Sequence, residues 1–247
     1  MRKFYQTQWH GIKFNSIRSI SISRLPDEDF YNHFYANFSK KYSSISELDP
    51  DWLRLKFSAA DWLVKQIKDI DPKSALSLGV GLAILENHIK ANLDLDLHVH
   101  EVSDSVRNYI DANIPEECIH IGLFPECLDK ALKFDLIIMG GIEYIFDDQE
   151  LEKFLTQVAD HLHPQGKLLL ISWSFYERSL YSTVKHYIKE LLIRLPLFQK
   201  NKQFWGYLRT QDQLKVLARK AGLQILSSEK DESVGDWKTL FLTLKRD

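Results

Sequence analysis

The chain is expected to fold as an α/β protein on a mostly parallel, seven-stranded sheet that ends in an antiparallel hairpin, with a helical cap at the N-terminus. Three observations carry this expectation. From residue 74 onward, short apolar runs alternate with stretches of helical periodicity, the pattern of βαβ units and a parallel sheet. The first run leads into a glycine turn, Gly79-Val80-Gly81, where a strand can pass its chain sharply to the N-terminus of a helix. The last two runs, 223–228 and 239–244, flank a polar turn containing Gly235-Asp236, which is a hairpin signal.

In chain order, residues 1–25 hold a short alternation (Ile20, Ile22) and a His10-Gly11 turn, read as a small hairpin. Pro26, Asp27, Glu28 and Asp29 open a helix reaching Phe38, since acids favour the positive end of a helix dipole. Asp49-Pro50 starts a second helix, in which Trp52, Leu55, Ala59, Trp62, Leu63 and Ile67 recur at helical spacing. Strands are then expected at 75–78, 95–101, 119–121, 134–139 and 167–173, with helices near 82–92, 104–112, 124–132 and 148–162. Residues 1–55 read as the cap and 56–247 as the main domain, which carries an insertion at 174–209.

Composition narrows the function. Apolar residues make up 45% and charged residues 27% of the chain, ordinary for a self-burying protein. A formal charge of −2 gives no expectation of a nucleic-acid partner, because phosphate binding wants a basic face. No apolar run is long enough to span a bilayer, and the first residues lack the apolar core of a secretion signal. Cys118 and Cys127 have no Cys-x-x-Cys partner and no histidine at metal-ligand spacing. They suit a reducing compartment, so the expected location is cytoplasmic.

Two features place a ligand. Gly79 and Gly81 let a ligand approach backbone amides at a helix N-terminus. Glu101 lies twenty residues beyond Gly81 at the end of the second main strand, where a carboxylate can accept two hydrogen bonds from ribose hydroxyls. A dinucleotide fingerprint would need a third glycine where Ile84 stands, and the terminal hairpin argues against a second nucleotide-binding half. A nicotinamide dehydrogenase is therefore disfavoured.

These features, with Phe134-Asp135-Leu136-Ile137-Ile138-Met139, Gly140 through Ile145, and Leu162-His163-Pro164-Gln165-Gly166 before an apolar run, resemble the class I, Rossmann-like S-adenosylmethionine-dependent methyltransferases. The resemblance extends from about residue 60 to the end. It implies S-adenosyl-L-methionine as cofactor and a small-molecule acceptor, methylated on oxygen or nitrogen. It implies that Gly79 and Gly81 face the cofactor's methionine part, Glu101 its ribose, Gly122 and Leu123 its adenine, and that Gly140 borders the sulfonium. Where the family usually has an acid two residues before the first glycine, this chain has Ser77, and Tyr144 replaces a histidine common among relatives.

Glu143 and Tyr144 sit where a base or an orienting group would face the methyl, and are the candidate catalytic residues. The bland alternative packs Tyr144 under a lid and uses Glu143 as a helix cap. Asp147-Asp148 reads as dipole capping, and no metal site is expected. The insertion carries seven cations (Arg178, Lys185, Lys189, Arg194, Lys200, Lys202, Arg209) against Glu177 and Glu190, and follows a helical apolar stripe. It reads as an amphipathic helix over the sheet edge, or as a lid for an anionic acceptor with Arg209 as clamp and Tyr176 beside it, or as a peripheral contact with anionic lipid. A second functional class stays open: a non-catalytic S-adenosylmethionine-binding partner or sensor.

Overall fold

A computed structural model describes residues 1–17, 20–173, 175–177, 184, 187–188, 191–193, 201–234 and 237–247, the side chains of 232–234 and 237 excepted. The Gly235-Asp236 turn and, in the expected insertion, Leu180 of the apolar stripe with Arg178, Lys185, Lys189, Glu190, Arg194 and Lys200 lie outside the described residues.

The elements are β1 (Arg2–Gln6), β2 (Gln8–Trp9), β3 (Ile12–Lys13), α1 (Glu28–Lys41), α2 (Pro50–Ile70), β4 (Ser74–Leu78), α3 (Ile84–Asn92), β5 (Asp96–Glu101), β6 (Ile119–Ile121), β7 (Phe134–Gly140), α4 (Asp148–Asp160), β8 (Leu162–Ser172), β9 (Gln203–Leu208), α5 (Gln211–Lys220), β10 (Leu223–Val234) and β11 (Trp237–Arg246). Seven of the strands form one sheet in the order β6-β5-β4-β7-β8-β11-β10. β4 through β8 run parallel, and β11 enters antiparallel between β8 and β10. The order reverses between β4 and β7, and the ligand crevice of an open α/β sheet lies outside the carboxyl ends of strands at such a switch point.

Alternation along the strands builds two cores. Leu76, Leu78, Ile137, Met139, Leu168 and Leu170 face α4 and α5, meeting Leu151, Leu155, Leu214 and Leu217. Ala75, Leu97, Leu136, Ile138 and Leu169 face α2 and α3, meeting Ala59, Leu63, Ile67 and Ile89. Helix starts are chemically marked. Asp27 accepts from Phe30 N, and Asp49 from Trp52 N, each at the N-cap, contacts that contribute about 1 kcal/mol apiece.

A third cluster, with Phe14, Phe30, Phe34, Tyr35, Phe38 and Trp205, joins α1 and the N-terminal strands to Leu82, Ile84 and Val106 above the main sheet. The expected hairpin forms as β2–β3 around His10-Gly11, but Ile20 and Ile22 lie outside any strand.

The structure departs from expectation in three more places. The stretch expected as a helix at 104–112 is a 3-10 helix, Asp104–Tyr109. Asn87 takes the groups that would continue it, donating to Tyr109 O and accepting from Asp111 N. Residues 124–132 form hydrogen-bonded turns around Pro125, whose ring nitrogen has no proton to give a helix. The end of the insertion is a strand: β9 pairs antiparallel with β1, so residues 203–208 anchor the cap.

Candidate functional site

β4 delivers the glycine turn. Gly79 and Gly81 take positive φ of 69° and 57°, the left-handed region that glycine enters without penalty. A Cβ on Gly79 would lie 2.3 Å from Ile142 Cγ2, so space as well as torsion requires glycine. β5 brings Glu101 to the same turn. Its Oε2 accepts from Gly81 N at 2.9 Å and its Oε1 from Val102 N at 2.8 Å. Burial pushes the Glu101 carboxyl up, against the opposing pull of those amides. A carboxylate oxygen offers more than one acceptor site, so both can also serve a vicinal diol.

Gly122 follows β6 and donates to Glu101 O at 3.0 Å, which sets it and Leu123 beside the acid. Leu123 is 70% exposed, an open apolar surface suited to a flat ring. Gly140 closes β7, where a Cβ would meet Leu85 Cδ1 at 2.9 Å.

Behind the glycines lies a buried polar arrangement that the sequence did not announce. Ser77 Oγ donates to Glu86 Oε1 at 2.5 Å. Ser172 Oγ donates likewise to Glu143 Oε1. Glu86 and Glu143 are each 2% exposed, and the Oε2 of each is buried without a hydrogen-bond partner. Lys56 of α2 interacts electrostatically with both, and its ammonium lies 3.3 Å from the Trp173 ring centroid. Desolvation pushes Glu86 up to about 7 and Lys56 down to about 7, and burial raises Glu143. The sequence signal was a glutamate within the apolar start Ile84-Leu85-Glu86 of α3, on the face that packs inward.

α1 roofs the crevice. The Tyr35 hydroxyl lies 3.5 Å from where a Gly81 Cβ would stand. Tyr144 shares a hydrogen bond with Tyr31 and accepts one from the Trp205 indole. Burial raises all three phenols well above the ordinary tyrosine value, so they serve as proton-bearing hydrogen-bond groups and not as bases. Gly206 of β9 lets the strand cross Tyr144, since a Cβ there would be 2.4 Å from Tyr144 O.

Arg209 is 1% exposed. Its Nε donates to Asp148 Oδ1 at 2.8 Å, one terminal nitrogen to Glu143 O at 3.0 Å and the other to Phe146 O at 2.6 Å. The guanidinium thus holds the turn that carries Glu143 and Tyr144. Tyr176 stacks under Arg2 at 3.9 Å and lines a groove of about 670 Å³ between α4 and α5, which Gly79, Gly81 and Glu101 do not line. The structure therefore gathers Gly79, Gly81, Glu101, Gly122 and Leu123 at one crevice with Tyr144 and Glu143 behind it, and sets Tyr176 apart. Asp147, not Glu143, caps α4.

The sheet order, glycine turn and strand-end acid are those of S-adenosylmethionine-dependent methyltransferases. A family model described as a methyltransferase domain matches residues 54–228, and the chain belongs to that family. No curated protein matches the chain significantly. Among solved structures, magnesium protoporphyrin IX methyltransferase of Synechocystis PCC 6803, with bound SAH, aligns at TM-score 0.60 and 13% identity over 89% of this chain and 98% of that one. Human N-acetylserotonin methyltransferase, in complex with SAM, aligns at TM-score 0.54 and 14% identity over 90% and 57%. The mitomycin 7-O-methyltransferase aligns at TM-score 0.52 and 18% identity over 72% and 50%. The alignments thus span about half of the latter two proteins.

Proposed function

We propose that the chain transfers a methyl group from S-adenosylmethionine to an oxygen or nitrogen of a small molecule, in the cytoplasm. The observation that carries this reading is the 2.9 Å contact between Glu101 Oε2 and Gly81 N, which joins the strand-end acid to the glycine turn. The residues fit the cofactor: Glu101 for the ribose diol, Gly122 and Leu123 for the adenine, Gly79, Gly81 and Gly140 where bulk must be absent. For the amino-acid end we assign Lys56 to the carboxylate and Glu86, through its free Oε2, to the ammonium.

The cofactor supplies an already activated methyl on a sulfonium, so the protein's task is chiefly orientation. The roof of Tyr31, Tyr35 and Tyr144 excludes water and offers hydrogen bonds to an acceptor. Glu143, with one oxygen held by Ser172 and a carboxyl raised by burial, is placed to take the proton of a hydroxyl acceptor. In this reading the cap, 1–55, closes the site on the main domain, 56–247, and Arg209 positions the catalytic turn.

The test is calorimetry with S-adenosylhomocysteine on wild type and Glu101→Ala. A loss of about 1.5–3 kcal/mol in the variant is expected for a hydrogen bond to a charged group. Equal affinities would remove Glu101 from the site, and binding of NADH in place of the nucleoside would remove the cofactor assignment. Methyl transfer from a labelled donor into a metabolite extract then identifies the acceptor.

A further inference from the structure

The amino end of the sheet, opposite the cofactor crevice, carries a second group of chemistry-bearing side chains. Asp96 opens β5, His98 follows two residues later on the same face, and Cys118 immediately precedes β6. In the sequence neither cysteine has a histidine at metal-ligand spacing, yet the parallel pairing of β5 with β6 brings these three together. Cys118 Sγ is 3.7 Å from His98 Nε2 and 3.9 Å from Asp96 Oδ1. His98 Nε2 is 3.7 Å from Asp96 Oδ1.

Three such atoms form a nearly equilateral triangle. Ligands bound at about 2.0–2.3 Å around a tetrahedral zinc ion stand roughly 3.3–3.6 Å from one another. A few tenths of an ångström of contraction would close this triangle on an ion. The ring nitrogen that faces away from the triangle is already engaged: His98 Nδ1 lies 2.9 Å from His120 Nε2, with the two rings stacked 6° from parallel. When Nδ1 donates its proton to His120, the Nε2 lone pair points at Cys118 and Asp96, the arrangement by which a neighbouring acceptor orients a metal-binding imidazole.

We propose that Asp96, His98 and Cys118 form a binding site for a zinc-class divalent cation, with water as fourth ligand, that ties the edge strand β6 to β5. A thiolate, a carboxylate and a neutral imidazole would balance the double charge. One sulfur, one nitrogen and one oxygen donor suit a borderline cation such as zinc better than magnesium or calcium, which prefer oxygen alone. Asp96 is exposed and leaves the ion a path from solvent, while Cys118 is buried. The benefit is structural. β6 spans only three residues at the sheet margin, and a cation linking its entry to the start of β5 would hold a short edge that few hydrogen bonds secure.

The test uses the full chain, stripped with a strong chelator and reloaded with Zn²⁺ or Co²⁺ alone. One zinc per chain by calorimetry and a rise in thermal midpoint are expected. With Co²⁺, a thiolate-to-cobalt charge-transfer band should appear and be absent in Cys118→Ser. Asp96→Asn, which alters an exposed side chain and spares the fold, should weaken zinc by about tenfold or more, with S-adenosylhomocysteine binding unchanged. Equal zinc affinity in wild type and Asp96→Asn, or a cobalt spectrum without the thiolate band in the wild type, would overturn the site. Loss of methyl transfer on stripping without loss of stability would overturn its structural role.

Discussion

The Ser77 hydroxyl donates a 2.5 Å hydrogen bond to Glu86 Oε1 and leaves Glu86 Oε2 buried without a partner. In the proposed reading, the two residues together supply what the strand alone lacks. Where relatives usually place an acid two residues before the first glycine, this chain has a hydroxyl, and the carboxylate comes instead from the first turn of α3. Ser77 fixes its orientation. An unpaired buried acceptor costs about 1–3 kcal/mol, and a ligand ammonium arriving there would recover it.

The first prediction follows. Glu86→Gln should weaken S-adenosylhomocysteine by about 1.5–3 kcal/mol, the range of a hydrogen bond to a charged group. It should leave 5′-methylthioadenosine, which lacks the amino-acid end, bound as in wild type. Competition calorimetry with both ligands measures this. Equal losses for the two would place Glu86 in the fold and not at the ammonium.

A second prediction concerns pH. Glu86 rises from 4.5 to about 7 in the folded chain, so the folded state holds its proton longer than the unfolded state does. The stability this group contributes is complete below pH 4.5 and lost as pH climbs through 7. Lys56 falls from 10.5 to about 7, so its contribution is complete above pH 10.5 and lost as pH falls through 7. Together the two give the ligand-free protein a local minimum of stability near neutrality. Chemical denaturation across pH 5–9 reads it. Glu86→Gln should remove the decline on the acid side, and an unchanged acid limb would refute the assignment.

How far these features were legible in the sequence depends on the range of the interaction. The glycine turn, the helix caps at Asp27 and Asp49 and the terminal hairpin were readable because each is decided by a few adjacent residues. Glu101 was readable because strand length and crossover length fix its distance from Gly81. The pairing of β1 with β9 was not, since nothing in Arg2–Gln6 names a partner two hundred residues away. Lys56 and Glu86 carried no motif of their own, and only the packing of α2 on α3 makes them neighbours. The stretch at 104–112 kept its helical periodicity, but the Asn87 side chain diverts its backbone groups.

A third prediction separates Glu143 and Tyr144, the two residues proposed to serve the acceptor. Glu143→Gln should lower kcat by about 10²-fold or more if the acceptor is a hydroxyl, since that is the usual scale of general-base catalysis. It should leave S-adenosylhomocysteine affinity nearly intact. Tyr144→Phe should raise the acceptor KM with a smaller effect on kcat, because a phenol whose proton burial retains can orient but not abstract. Steady-state kinetics on both variants provide the split. A Glu143→Gln enzyme of full kcat would mean that the acceptor needs no base, as for a carboxylic acid or a soft nucleophile.

The final prediction concerns Arg209, whose donors reach Asp148, Glu143 O and Phe146 O. An anion clamp would require a guanidinium open to the acceptor, and this one is 1% exposed. Arg209→Ala should therefore cost stability, about 2–4 kcal/mol, because two carbonyls and a carboxylate lose their donor. For a chain of this size that corresponds to roughly 2–4 °C in Tm per kcal/mol. The same loss frees the turn bearing Glu143 and Tyr144, so kcat should fall together with Tm while cofactor affinity stays near wild type. Arg209→Lys is the informative companion. A lysine keeps the charge but cannot serve three separated acceptors with one rigid fork, so a positioning role predicts that it rescues little. A clamp predicts substantial rescue of an anionic acceptor's KM. Arg209→Lys with wild-type Tm and kcat would show that charge alone is needed and that the turn is held by something else.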